Sequence, residues 1–215
     1  MNKKEILKKL NPLFLSGICH RGYHGNNIPE NSLSAFSNAI KIGMAMEYDI
    51  HLTKDNELVV IHDSETKRVT GKDGIIENLT LQEIKNNYCL KDGSKIPTLK
   101  EVFNLVKEQV PQVIELKVYK KNYKKLAAKT KEFLTKNVIN KSNFILISFD
   151  PRSLFPLKNT GFVRQLLLCE DRFDVYIFRH FFEGIDIEYT LLKKEKVFTC
   201  MTFMHYLFYN SDRIS

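Results

Sequence analysis

With 215 residues, 43% of them hydrophobic and 27% charged, the chain can bury one sizeable core and has the composition of a globular domain. No apolar run reaches the roughly 18 residues needed to cross a bilayer, so no transmembrane segment is expected. The formal net charge of +8 invites a nucleic-acid reading, but neither a zinc-finger spacing nor an RNA-binding aromatic signature accompanies it, and no nucleic-acid partner is expected. The excess is mostly lysine, dense between Lys117 and Lys141; a solvated helix face with weak attraction to anionic membrane surfaces accounts for it. Cys19, Cys89, Cys169 and Cys200 form no CxxC pair and read as buried free thiols of a reduced compartment, which places the protein in the cytoplasm.

The N-terminus sets Lys3, Lys4, Lys8 and Lys9 before LNPLFLSGI, a superficial likeness to a signal peptide. The apolar part runs straight into His20, so cleavage after it would destroy the candidate site described below. The spacing predicts instead a short helix with Ile6, Leu7 and Leu10 on one face, feeding a first strand, LFLSGIC. His20-Arg21-Gly22 opens the next loop, where Gly22 permits a positive φ or a close backbone approach. Asn31 or Ser32 can cap a helix whose Leu33, Phe36, Ala39 and Ile40 follow the helical period and which Gly43 ends.

Met44 to Leu52 reads as the second strand. Glu47 and Asp49 are two apart and share a face; two carboxylates side by side cost stability unless a cation sits between them. His51 falls on the same face and reads as a rim residue outside any metal shell. After a turn at Thr53-Lys54-Asp55-Asn56, Glu57 to Ile61 returns and carries His62; Asp63 is expected to hydrogen-bond locally. Between about residues 64 and 109 lie two helices, one capped at Thr80 and one opened by a Thr98/Glu101 capping box, in a stretch too long for an ordinary loop. Gln112 to Val118 is a strand with Glu115 and Lys117 on one face. A helix with Leu126, Phe133 and Leu134 as its apolar stripe follows, then NFILISFD, VRQLLLCE, an aromatic helical stretch DVYIFRHFFEG, and IDIEY. This alternation argues for a parallel sheet closed or wound by helices. VFTCMTF is a candidate seventh strand, and the tail HYLFYNSDRIS offers a partial helix and no eighth.

Three carboxylates with no cysteine beside them make a hard, oxygen-rich pocket that suits Mg²⁺ or Ca²⁺ better than Zn²⁺. Two histidines, an arginine and a lysine around such an ion describe a device for phosphate-ester chemistry. The set His20-Arg21-Gly22, Pro29-Glu30-Asn31-Ser32, Glu47-x-Asp49, Leu52-Thr53-Lys54-Asp55, His62-Asp63 and Glu115-x-Lys117, in that order and spacing, resembles the glycerophosphodiester phosphodiesterase family from about Leu15 to Asp150.

The resemblance implies a single domain over residues 1–215. Its fold would be an α/β, TIM-type (β/α)₈ barrel with a small insertion after the second strand, a cap at about 64–109. The barrel is expected to be incomplete at the C-terminus, its eighth strand missing. The implied activity is metal-dependent hydrolysis of a small-molecule glycerophosphodiester to sn-glycerol 3-phosphate and an alcohol. Glu47, Asp49 and Glu115 would hold one divalent cation, Mg²⁺ or Ca²⁺. His20 and His62 would serve as acid and base, in an order the sequence does not assign. Arg21 and Lys117 would bind the substrate phosphate, with Glu30 and Asn31 beside the site orienting their neighbours. Two alternatives stay open: a phospholipase-D-like lipid headgroup hydrolase, and a degenerate non-catalytic barrel that binds phospholipid headgroups.

Overall fold

The computed structural model describes residues 8–25, 27–188 and 208–209. Its strands are β1 (Ile18–Cys19), β2 (Ala45–Leu52), β3 (Leu58–Val60), β4 (Gln112–Leu116), β5 (Phe144–Ser148), β6 (Val163–Leu168), β7 (Gly184–Glu188) and β8 (Phe208–Tyr209). They form one sheet in the order β1-β2-β4-β5-β6-β7-β8, with every neighbouring pair parallel. β3 folds back antiparallel on the end of β2. Among the described residues six α-helices accompany the sheet: α1 (Leu33–Lys41), α2 (Lys67–Thr70), α3 (Leu81–Asn87), α4 (Leu99–Val106), α5 (Tyr123–Asn137) and α6 (Pro151–Leu154). Among the described residues this is an incomplete (β/α) barrel.

Side-chain alternation divides the strands between two cores. Met46, Tyr48 and Ile50 of β2, Ile114 of β4 and Leu146 of β5 face the helices, where Phe36, Val102 and Leu126 meet them. Ala45, Val113, Ile145 and Val163 face the concave side of the sheet and close around Phe14. Both faces of β2 are therefore buried, as a parallel strand under helices requires, and Glu47 and Asp49 lie on the concave side. The helix starts follow their caps. Ser32 Oγ accepts from Ala35 N–H at the start of α1, and the capping boxes Thr80/Glu83 and Thr98/Glu101 open α3 and α4.

The chain departs from expectation in several places. LFLSGIC is not one strand: Pro12–Ser16 forms a 3₁₀ helix before the two residues of β1. Asn11 Oδ1 accepts from Leu13 N–H and Pro12 fixes the first turn, so turn chemistry overrides the apolar run. Phe14 then enters the concave core while Leu15 stays exposed. Of the predicted N-terminal helix, Ile6 and Leu7 lie outside the described residues, as does VFTCMTF. Among the described residues the seventh parallel strand is β8, in the tail that the sequence assigns to a partial helix; its backbone pairs with β7. The aromatic stretch after β6 is 3₁₀ helix over Glu170–Phe181. Cys19 is buried, but Cys89 and Cys169 are half-buried, all three as free thiols. Among the described residues no helix is long and apolar enough to cross a membrane.

After β3 the chain makes an excursion with its own small core of Ile61, Val69, Ile76, Ile84, Tyr88 and Ile96. α4 packs against α1 and contributes Leu99, Val102 and Val106 to the main core. The excursion with a separate core therefore ends near Ile96.

Asp186 sits on β7 between Ile185 and Ile187, which face the helices, so it is buried on the concave side. Burial pushes its carboxyl up to about 7, despite a hydrogen bond from the Ile187 backbone. The folded state thus holds this proton more tightly than the unfolded chain. The stability penalty grows as pH climbs from about 4 through 7. Asp186→Asn is expected to gain stability over the wild type above pH 7 and little near pH 4, which urea denaturation at the two pH values reads directly.

Candidate active site

The parallel register sets Asp49 of β2 opposite Glu115 of β4, and Glu47 lies two residues before Asp49 on the same face. All three side chains are buried, and one oxygen from each lies within 4.8 Å of the others. Burial and the neighbouring carboxylates push Glu47 well above the usual carboxylate range. Glu115 is raised to about 8, chiefly by burial, with Asp49 adding to the shift and Lys117 opposing it. Asp49 behaves differently: burial works to raise it, but Lys117, His62, Asn31 and Arg21 hold it near 2. Were all three ionised, Lys117 and Arg21 would leave one negative charge unbalanced; without a further cation, burial and mutual repulsion hold protons on Glu47 and Glu115 near neutral pH.

Asp49 Oδ1 is buried and makes no hydrogen bond, although Lys117 Nζ stands 3.3 Å away. A buried carboxylate oxygen that accepts no hydrogen bond, in an all-oxygen pocket, fits a hard divalent cation.

The loop after β1 is held by its own backbone. Arg21 adopts φ 52°; its N–H donates to Glu47 Oε2 at 3.0 Å, and its carbonyl accepts from Asn31 N–H at 2.9 Å. A left-handed non-glycine residue costs on the order of 1 kcal/mol or more, and here it turns the Arg21 side chain toward the carboxylates. Gly22 has φ 80°, and a Cβ on it would come within 2.8 Å of Ala35 Cβ, so the loop is seated directly on the first turn of α1. Arg21 Nη1 donates to Glu30 Oε1 at 3.1 Å, and its Nε is 3.7 Å from Asp49 Oδ2. Ser32 takes the capping role, leaving Asn31 to donate Nδ2–H to Asp49 Oδ2 at 2.9 Å.

His20 Nε2 lies 3.9 Å from Glu47 Oε2. Burial, reinforced by Arg21, lowers the imidazole to about 3. His62 is also lowered, mainly by burial, so both rings are neutral near pH 7. His20 stands against one carboxylate of the trio, and His62 lines the same cleft as Glu115 and Lys117. His62 Nδ1 is 2.6 Å from Asp63 Oδ1; the tautomer with its proton on Nδ1 satisfies that bond and leaves Nε2 as an acceptor. Lys117 Nζ is 3.1 Å from Glu115 Oε1.

The structure therefore brings together His20, His62, Arg21, Lys117, Asn31 and the three carboxylates, with Glu30 one step away against Arg21. Its corrections concern the surroundings. His51 is buried: its Nδ1 is 2.6 Å from Glu77 Oε1, and its Nε2 is 3.0 Å from the His62 carbonyl oxygen. It supports the His62 backbone from the wall of the cleft. Glu77 and Arg68 escaped sequence reading, because a lone charge in a polar segment carries no periodicity to mark it. A cleft of about 720 Å³ opens over the site, lined among others by His62, Arg68, Glu115, Lys117, Lys120 and Arg152.

Residues 20–171 match the model of the glycerophosphoryl diester phosphodiesterase family. The chain belongs to that family. A glycerophosphodiester phosphodiesterase of Caldanaerobacter subterraneus subsp. tengcongensis is 37% identical over 166 residues, covering 71% of this chain and 68% of the relative. The crystal structure of a glycerophosphodiester phosphodiesterase from Thermotoga maritima is 32% identical with a TM-score of 0.67, over 83% of this chain and 76% of that one. An Oleispira antarctica phosphodiesterase, solved with the product sn-glycerol-3-phosphate, has a TM-score of 0.72 at 24% identity, over 85% and 78% of the two chains, and shares the fold. For two further curated relatives, from Bacillus species, this chain spans only 44% and 45% of the relative's length. Glycerophosphoryl diester phosphodiesterases are phosphoric diester hydrolases, and the chain is placed in that enzyme class.

Proposed function

We propose that the chain hydrolyses glycerophosphodiesters to sn-glycerol 3-phosphate and an alcohol, with one divalent cation, Mg²⁺ or Ca²⁺, held by Glu47, Asp49 and Glu115. The observation that carries the reading is the convergence of three buried carboxylates, one with an oxygen that accepts no hydrogen bond, beside two neutral imidazoles and two cationic side chains. When bound, the ion would supply Lewis acidity, taking up phosphoryl charge and lowering the pKa of a hydroxyl.

The chain's own groups do the rest. Arg21 and Lys117 bring positive charge to the phosphoryl oxygens, where charge accumulates as the attacking oxygen bonds to phosphorus. One imidazole takes the proton of the attacking hydroxyl; the other delivers a proton to the departing alcohol oxygen as its bond to phosphorus breaks. With Nε2 free, His62 is ready to take the proton of the attacking hydroxyl; the ring that serves as acid must first bind a proton from solvent, and the proton taken by the base returns to solvent at the end of the cycle. Asp63 holds His62 through Nδ1, so Nε2 is the atom that moves the proton. Asn31 keeps Asp49 oriented.

The excursion after β3 supplies Ser64, Glu65 and Arg68 to the cleft wall, and in this reading it acts as the cap that selects the alcohol portion of the substrate. The free thiols fit a cytoplasmic enzyme. The exposed lysines of α5 fit weak contact with anionic membrane surfaces.

Incubation with glycerophosphocholine, followed by enzymatic assay of glycerol 3-phosphate, tests the reading. Release should occur, stop with a chelator and return with Mg²⁺ or Ca²⁺. Absence of release from glycerophosphocholine, glycerophosphoethanolamine and glycerophosphoglycerol in the presence of either ion would contradict it and favour a barrel that binds headgroups without cleaving them.

A further inference from the structure

Arg68 stands on α2, in the excursion, yet its guanidinium reaches two carboxylates from different parts of the site. Its Nη2 and Nη1 donate to Glu30 Oε1 at 2.6 Å and Glu30 Oε2 at 3.1 Å, while its Nε donates to Asp63 Oδ2. Glu30 in turn holds Arg21, and Asp63 holds His62. One planar group therefore fixes the partner of the phosphate-binding arginine on one edge and the partner of a catalytic histidine on the other.

An exposed ion pair usually contributes little. This one is forked, and both carboxylates are more shielded than the arginine, at 15% and 30% side-chain exposure against 48%. Burial acts to raise both carboxyls, yet both are held below the usual range, with Arg68 among the causes in each case. They remain acceptors for Arg21 and His62 at neutral pH. A second strut from the same excursion, Glu77 through His51 to the His62 carbonyl, fixes the histidine's backbone while Arg68 and Asp63 fix its ring.

We infer that Arg68 is a positioning residue that orients His62 and Arg21 together, so that the excursion, through this one side chain, completes the proton-transfer and phosphate-binding geometry. The inference rests on the roles proposed above for those two residues. Arg68 touches neither carboxylate trio nor reacting atoms, so its loss should lower kcat while leaving the metal concentration for half-activation unchanged. Outer-shell partners of metal-site ligands are typically worth about 10–100-fold in activity; a loss of that order is expected for Arg68→Ala by the same kind of positioning, with KM moving by less than about threefold. Arg68→Lys should restore little, because one ammonium cannot fork to carboxylates on two edges. The losses in Arg68→Ala and Asp63→Asn should multiply only in part in the double variant, since both act through the His62 ring while Arg68 also acts through Glu30.

Steady-state kinetics of these variants, with thermal melts to confirm folding and ¹⁵N NMR of the imidazoles, makes the test. The expected spectrum shows His62 as the single tautomer with its proton on Nδ1 in the wild type and as a mixture in Arg68→Ala. Turnover of Arg68→Ala within about twofold of wild type, or full activity in Arg68→Lys, would overturn the inference. Should Arg68→Ala not fold, Arg68→Lys carries the test alone. Should the wild type release no glycerol 3-phosphate, the hydrolytic reading falls, and the tautomer alone decides: a mixture in Arg68→Ala supports the positioning role, and an unchanged tautomer ends it.

Discussion

Replacing His62 by alanine is expected to lower kcat by about 10²–10⁴-fold, and His20→Ala to do the same, since a positioned acid or base is worth that much. The ring positions argue that the loss is chemical. Each imidazole is partly exposed, with 22% side-chain exposure for His20 and 28% for His62. Truncation therefore opens no sealed cavity, and thermal melts should change little. His62→Ala leaves Asp63 bonded to Arg68, so no buried charge is stranded. Because the two rings serve one proton circuit, the double variant should lose less than the product of the single losses. Steady-state turnover of glycerophosphocholine reads all three variants; wild-type turnover in the double variant would dismiss the histidines from the chemistry.

The second large effect concerns the carboxylates, and here the sign depends on the ion. Glu47→Gln and Glu115→Gln should each lower activity by about 10²–10³-fold, because the cation is asked for several kcal/mol of transition-state stabilisation. In a chelator, the same variants should be at least as stable as the wild type. Glu47 and Glu115 are raised in the folded state by burial and by neighbouring carboxylates, so a neutral amide relieves repulsion. Adding Mg²⁺ or Ca²⁺ should raise the melting temperature of the wild type through binding to the native state, and of these variants far less. Asp49→Asn should behave oppositely in the chelator. Asp49 is the carboxylate that Lys117 and Arg21 stabilise, so neutralising it leaves those cations less well paired and lowers stability. Differential scanning fluorimetry with and without ion separates the cases. Equal ion-dependent stabilisation of wild type and Glu47→Gln would remove that residue from the ion's ligands.

The site was legible in the sequence where its geometry is periodic. Glu47 and Asp49 share a face because strands alternate, and Glu115 and Lys117 repeat the pattern on β4; the parallel register then brings the pairs together. The cap at Thr80 and the capping box at Thr98/Glu101 were readable because such signals are local; that Thr80 also forms a box with Glu83 is added by the structure. What escaped is what the fold closes at long range. Glu77 reaches His51 across 26 positions, and Arg68 reaches Glu30 across 38; no local pattern marks either. At Leu13–Cys19 the apolar run suggested a strand, while Asn11 and Pro12 had already written a turn. β8 pairs at a sheet edge in a segment whose own sequence favours a helix no less than a strand.

The account stands on one ion among Glu47, Asp49 and Glu115, and crystals soaked with Mn²⁺ test it most directly through anomalous scattering. A single strong peak is predicted within about 2.0–2.6 Å of an oxygen from each of the three, with His20 and His62 flanking it across the cleft. No peak at the trio, or a peak bound by other residues while the three carboxylates remain free of it, would contradict the account.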